Sequence, residues 1–284
     1  MRTAICPYCA SPSVVDRPPS RHRPPPVFTL GFLVTKDVAT RSVRSWLGSQ
    51  GIFAESGLKS ASIEEIRGVY VPAYLYTAVA KSEYAAEIGE NYRETETYTT
   101  TDSNGKTVTR TRTVTRTEWR SLEGHRAGYV MDILVTASRG IVNVELERVE
   151  PYDLRALRRY TPALLSGWIA EEPTMSADEC LALARTEAVD KVAREVDAFM
   201  PGDSHRGMRV RSWLENETAD LVHVPLWVLA ARYDADKPPI RILVNGQTGK
   251  VVGYARVAKW KVALFVVAVL GGLALLYFLV LGGR

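Results

Sequence analysis

The end of the chain constrains its fold most. From Val262 to Leu281 the sequence reads VALFVVAVLGGLALLYFLVL, with no charged side chain. At about 1.5 Å of rise per residue, a helix of this length reaches across the roughly 30 Å hydrocarbon core of a bilayer. A helix also satisfies its own backbone polar groups in lipid. The alternative is a buried core helix. The expectation is one C-terminal transmembrane helix over 262–281, making a single-pass, tail-anchored protein with the lipid bilayer as a partner. Arg256, Lys259 and Lys261 precede the run and Arg284 alone follows it. The positive-inside rule then puts the N-terminal bulk in the cytoplasm, at the cell inner membrane. No apolar run opens the chain, so no signal peptide is expected.

Near the other end, Cys6-Pro7-Tyr8-Cys9 forms a C-x-x-C knuckle. Two thiolates at this spacing can bind one Zn²⁺ from a tight turn, and a structural zinc needs four ligands. Cys180 is the third cysteine, far off in a predicted helix, and His22 is flanked by Arg21 and Arg23. Three readings of Cys6 and Cys9 stand: a degenerate ribbon without metal, a zinc half-site completed by a second chain or a partner, and a redox pair. The second would make the protein a homo-oligomer. Residues 17–26 (RPPSRHRPPP) read as a stiff, basic polyproline linker. The formal net charge of +4 does not imply a nucleic-acid partner.

The body alternates helix and strand signals. Thr35 to Gly48 has helical spacing at Val38, Val43, Trp46 and Leu47. Gly68 to Ala80 reads as a buried strand entered through Pro72. Residues 92–120 alternate threonine with larger side chains on both sides of Asn104-Gly105, a type I′ turn signal. This predicts a long Thr-rich hairpin that projects or packs by one face. As a partner-binding arm it would act by strand addition or through Arg110, Arg112 and Arg116. Residues 129–147 read as further strand, and 151–160 as a short helix. Ser176 to Phe199 is the clearest helix, opened by the capping box Ser176…Glu179 and stopped by Pro201-Gly202. Strands follow, ending in the hairpin RILVNGQTGKVVGY at 241–254. Val71-Pro72-Ala73-Tyr74 and Val224-Pro225-Leu226-Trp227 each enter an apolar strand, which raises the idea of two related units. The expected class is α+β, with antiparallel sheets and helices packed on one face. The expected divisions are 1–16 knuckle, 17–26 linker, 27–150 first unit, 151–173 connector, 174–258 second unit and 262–281 membrane helix.

This order resembles a bacterial family of zinc-ribbon-containing, single-pass membrane proteins of the TFIIB or primosomal-protein type. The matching stretches are CPYCAS at 6–11, GVYVPAYLY at 68–76, ETYTTTDSNGKTVTRTRTV at 96–114, LVNGQTGKVVG at 243–253 and the terminal run. The NGQTGKVVG hairpin after a capped helix is also similar to non-catalytic PepSY-type modules. The resemblance implies a ribbon and an α+β body near a membrane, with no reaction. The chain departs from it at Ala10, where the knuckle usually has Gly, and in lacking a second C-x-x-C.

No catalytic set is legible. His22, His125, His205 and His223 stand outside any H-E-x-x-H, G-x-S-x-G or phosphate-loop pattern. Glu171 and Glu172 are sequence neighbours, which point in different directions. The expected function is a non-catalytic, membrane-anchored adaptor that binds a protein partner. The alternative is a zinc-ribbon module that binds nucleic acid through its knuckle and Arg17, Arg21 and Arg23.

Overall fold

The structure is a computed structural model that describes residues 25–101, 105–165 and 167–281, the side chains of 275 and 278–281 excepted. Its elements, in order, are β1 (Phe28–Thr29), α1 (Lys36–Gly48), β2 (Ser62–Thr101), β3 (Thr107–Thr136), α2 (Asn143–Val149), β4 (Arg158–Arg159), β5 (Ile169–Ala170), α3 (Ala177–Phe199), β6 (Ser204–Arg232), β7 (Ile240–Asn245), β8 (Val251–Gly253) and α4 (Lys259–Leu281). Hydrogen-bonded neighbours run β3-β2-β6-β1-β4, with β5 on β2, β7 on β6 and β8 on β7. The chain divides into two compact units that interleave in sequence. One holds the described residues up to 74, 134–180 and those from 220 onward, and the other holds 75–133 and 181–219.

The first unit is built around α1 and the hairpin β7–β8. Thr35 is extended and its hydroxyl accepts the Val38 N–H, which caps α1. Ala39, Val43 and Leu47 recur every fourth residue and form the helix's buried side. They pack with Leu58, Trp227, Leu229, Ile240, Ile242 and Val244 into one apolar cluster. The Trp227 indole N–H donates to the Val34 carbonyl at 2.9 Å, so the cluster's largest ring leaves no polar atom unmatched. β7 pairs antiparallel with β6, from Leu226↔Asn245 to Ala231↔Ile240. Asn245 is fully buried. Its amide donates to the carbonyls of Val149 (3.1 Å) and Pro151 (3.0 Å). Its side-chain oxygen accepts the N–H groups of Gln247 and Thr248. This one residue therefore shapes the β7–β8 turn and pins the segment after α2.

In the second unit, three strand segments carry a helix. Tyr76, Ala78, Ala80, Ser82, Ala86 and Ile88 of β2 are buried, all at even positions. A strand sends alternate side chains to opposite faces, so these form one face of the sheet. From α3, Ala184, Ala188, Val192 and Val196 are buried at four-residue spacing. The capping box that opens α3, in the first turn that belongs to the first unit, is present: the Ser176 N–H donates to Glu179 and the Glu179 N–H donates to the Ser176 hydroxyl. Polar contacts seal the packing. Tyr76, fully buried, donates its hydroxyl to Glu217 at 2.7 Å, and Arg185 of α3 donates to the same carboxylate at 2.7 Å. Burial raises the Tyr76 hydroxyl pKa and the Glu217 hydrogen bond adds to it. Arg126 pairs with Glu195 at 3.0 Å.

Four expectations are corrected. The sheet is mixed rather than antiparallel throughout, because β1 runs parallel to β6 (Phe28↔Val222) and β5 parallel to β2 (Val69↔Ile169). Residues 143–147, expected as strand, belong instead to α2 (Asn143–Val149), and Glu145 explains it. Its carboxylate accepts the Val142 N–H at 3.2 Å and both Arg241 contacts at 2.6 Å. The expected helix at 151–160 contracts to a single 3₁₀ turn, Leu154–Ala156, before β4. Finally, among the described residues no helix is long and apolar enough to cross a membrane. The transmembrane helix at 262–281, the tail anchor and the inner-membrane location are therefore withdrawn.

Candidate functional site

The side of the three-stranded sheet opposite α3 is open. Its side chains come from odd positions of β2 and β3 and from Arg209, Arg211, Trp213 and Glu215 of β6. The contacts Lys81–Glu215 (2.7 Å), Ser82–Ser212 (2.8 Å) and Glu87–Arg206 (2.6 Å) run in opposite order along β2 and β6, so this pair is antiparallel. Ser82 and Ser212 lie on the α3 side, which places Glu83, Ala85, Arg209 and Arg211 on the open side.

Two arginine–aromatic pairs mark that side. Arg206 lies 4.0 Å over the Trp119 ring while pairing with Glu87. Trp119 can lie flat there because Gly89 has no Cβ; one would meet the indole at 3.1 Å and the Thr117 methyl at 2.7 Å. Further along, Arg211 lies 5.5 Å over the Trp213 ring. Between the two pairs is a cleft of about 320 Å³, bounded by residues 83–85, 123–125 and 209–211. Glu83 and His125 approach at 4.0 Å on its β3 side. Arg209 and Arg211 form its β6 side.

Beyond this, β2 and β3 continue as the expected ribbon. Glu96 accepts from Arg112 (2.9 Å) and Arg116 (2.5 Å), and Arg116 also pairs with Glu94 at 2.5 Å. The Arg112 hydrogen bond, then that of Arg116, holds the Glu96 carboxyl below its usual range. Arg120 pairs with Glu90, and Arg112 also lies 5.5 Å over Tyr98. Arg112 and Arg116 are thus matched within the arm, whereas Arg110 is exposed. By alternation the arm's other face carries Thr95, Thr97, Thr99 and Thr101 with Thr107, Thr109, Thr111, Thr113 and Thr115, all exposed. Gly105 has φ 75°, the positive value the turn requires, and Asn104 lies outside the described residues.

Cys6, Cys9, His22 and the linker arginines also lie outside the described residues. Among the described residues no group of three or more His, Cys, Asp or Glu side chains could hold a metal ion. Cys180 is buried, its thiol donates to the Thr136 carbonyl at 3.4 Å, and burial pushes its pKa up to about 11. Such a thiol is a packed side chain rather than a nucleophile. His205 meets Asp197 at 2.8 Å, and His223 sits in an aromatic cluster with Tyr70 and Tyr160. The cleft residues Glu83, Ala85, Glu123, Arg209 and Arg211 were not singled out from the sequence. The available signal was period two: R-V-R-S-W over 209–213 puts both arginines and Trp213 on one face.

No family model matches the chain, and no solved structure matches it. The resemblance to zinc-ribbon membrane proteins and to PepSY modules is therefore withdrawn, along with the zinc-ribbon and metal-binding description that rested on it. A relative is found in the uncharacterized protein YdjG of Bacillus subtilis (strain 168), 26% identical over 269 residues, covering 91% of this chain and 72% of that protein.

Proposed function

We propose that this protein is a non-catalytic adaptor that binds another protein, and that the docking surface is the open sheet face with its ribbon arm. One observation carries the reading: aromatic rings and arginines, Trp119 with Arg206 and Trp213 with Arg211, stand on a face that α3 braces from behind. Trp and Arg are among the side chains that dominate binding energy at protein interfaces: Trp buries a large area with few rotamers to freeze, and Arg offers a planar fork of donors. The same face is electrically mixed. Lys81, Arg206, Arg209 and Arg211 alternate with Glu83, Glu87, Glu123 and Glu215. A basic stripe suited to phosphates would lack those carboxylates, so a protein partner fits better than nucleic acid.

The test is affinity capture by the full chain from its own cells, compared with Trp213→Ala and Trp119→Ala variants. A partner retained by the parent chain and reduced about tenfold or more by either variant supports the reading, since hot-spot truncation costs about 2 kcal/mol or more. Partners captured equally by all three chains refute it.

A further inference from the structure

The cleft on the open face has a polarity of its own. Across the sheet, β2 separates β3 from β6. Glu123 and Arg209 therefore lie two strand spacings apart, about 9–10 Å at the backbone. Between them the β2 side chain is Ala85, which is too short to fill the gap. Neither Glu123 nor Arg209 has an ion-pair partner among the described residues. Glu83, on β2, adds a second carboxylate beside Glu123 and approaches His125 at 4.0 Å, and Arg211 adds a second guanidinium on the β6 side. The volume, about 320 Å³, is at the lower end of the roughly 300–1,000 Å³ that small-molecule sites occupy.

We propose that this cleft binds a small zwitterion, a molecule with an ammonium and a carboxylate joined by a short aliphatic chain. The ammonium faces Glu123 and Glu83, and the carboxylate faces Arg209 and Arg211. The aliphatic chain lies over the Ala85 methyl. A simple anion or cation engages one wall and leaves the other with its charges unmatched, whereas a zwitterion satisfies both at once. The cleft lies within the proposed docking face, but zwitterion binding needs no protein partner, so each reading can fail without the other.

Titration calorimetry of the full chain tests it, with glycine, γ-aminobutyrate and ε-aminocaproate as zwitterions and caproate and hexylamine as single-charge controls. Because both walls are exposed, the expected dissociation constant is on the order of 1–10 mM for the best-fitting zwitterion. The controls bind about fivefold or more weakly, and Glu123→Gln and Arg209→Gln each weaken the zwitterion about three- to fivefold. Ala85→Leu fills the floor and removes binding. Lys36→Gln, on α1 and away from this face, leaves it unchanged. The proposal is overturned if no zwitterion binds better than both controls, or if Arg209→Gln and Glu123→Gln bind like the parent chain. Circular dichroism of each variant separates lost binding from lost fold.

Discussion

β2 is one strand with two ends that obey different rules. From Val69 to Tyr74 every side chain is apolar or aromatic, and Val69, Val71 and Ala73 have no exposure at all. From Thr95 to Thr101 the chain is mostly exposed on both faces and carries threonine at nearly every second position. The backbone is extended in both. What differs is the source of order. At the inner end, burial holds the strand, with about 1.5–3 kcal/mol from each large apolar side chain. At the outer end, cross-strand ion pairs and β-branched propensity hold it, each worth a few tenths of a kcal/mol. A strand can thus leave its core and remain a strand, provided a partner strand leaves with it.

Substitutions should separate the two regimes. The largest effect belongs to the core. Leu229→Ala, at a side chain with 1% exposure, should cost about 2–5 kcal/mol in urea unfolding. Asn245→Ala follows, because two carbonyls and two N–H groups lose their partner together. A loss of about 2–4 kcal/mol is expected, with faster hydrogen exchange at Gln247 and Thr248. Ser176→Ala removes the α3 cap and should cost about 1 kcal/mol. The same cap sets a pH dependence. Hydrogen bonds from the Ser176 backbone N–H and hydroxyl, then from Arg139, hold Glu179 at a pKa of about 2. A depressed carboxyl pKa gives stability that is complete above the unfolded value of about 4.3. That contribution is lost as pH falls toward 2. Acid titration of the Ser176→Ala variant should show a shallower loss than the parent. The smallest effects belong to the arm: Thr99→Ala and Thr113→Ala should each stay within about 0.5 kcal/mol. If an arm threonine costs as much as Asn245, the arm is packed and the contrast between the two ends fails.

Much of this architecture was legible. α1 and α3 announce themselves through caps and four-residue spacing, and the ribbon through its alternation around Asn104-Gly105. α2 was not, because I-V-N-V-E-L-E also alternates with period two. Helix wins there through Glu145, whose other partner, Arg241, is 96 residues away. Pro72 and Pro225 read as strand entrances, yet each lies well inside a long strand. The Pro72 carbonyl still accepts the Ala137 N–H, and the Pro225 carbonyl the Gly246 N–H. The cleft was invisible for a different reason. Glu123, Ala85 and Arg209 become neighbours only once three strands take their register, and that register is not written in any one of them.

The pairing of β1 with β6, Phe28 beside Val222, has a consequence for biosynthesis. A ribosome delivers these partners nearly two hundred residues apart, which at about 5–20 residues per second is tens of seconds of elongation. The apolar side of α1 cannot meet Ile240, Ile242 and Val244 until residue 244 has emerged, about two hundred residues later. The nascent N-terminal half therefore waits with its core face uncovered. Contacts this distant in sequence also slow folding once synthesis ends. Chaperone occupancy during translation should be greatest over residues 36–80, and least over the ribbon, whose two strands pair with each other as soon as residue 120 is made.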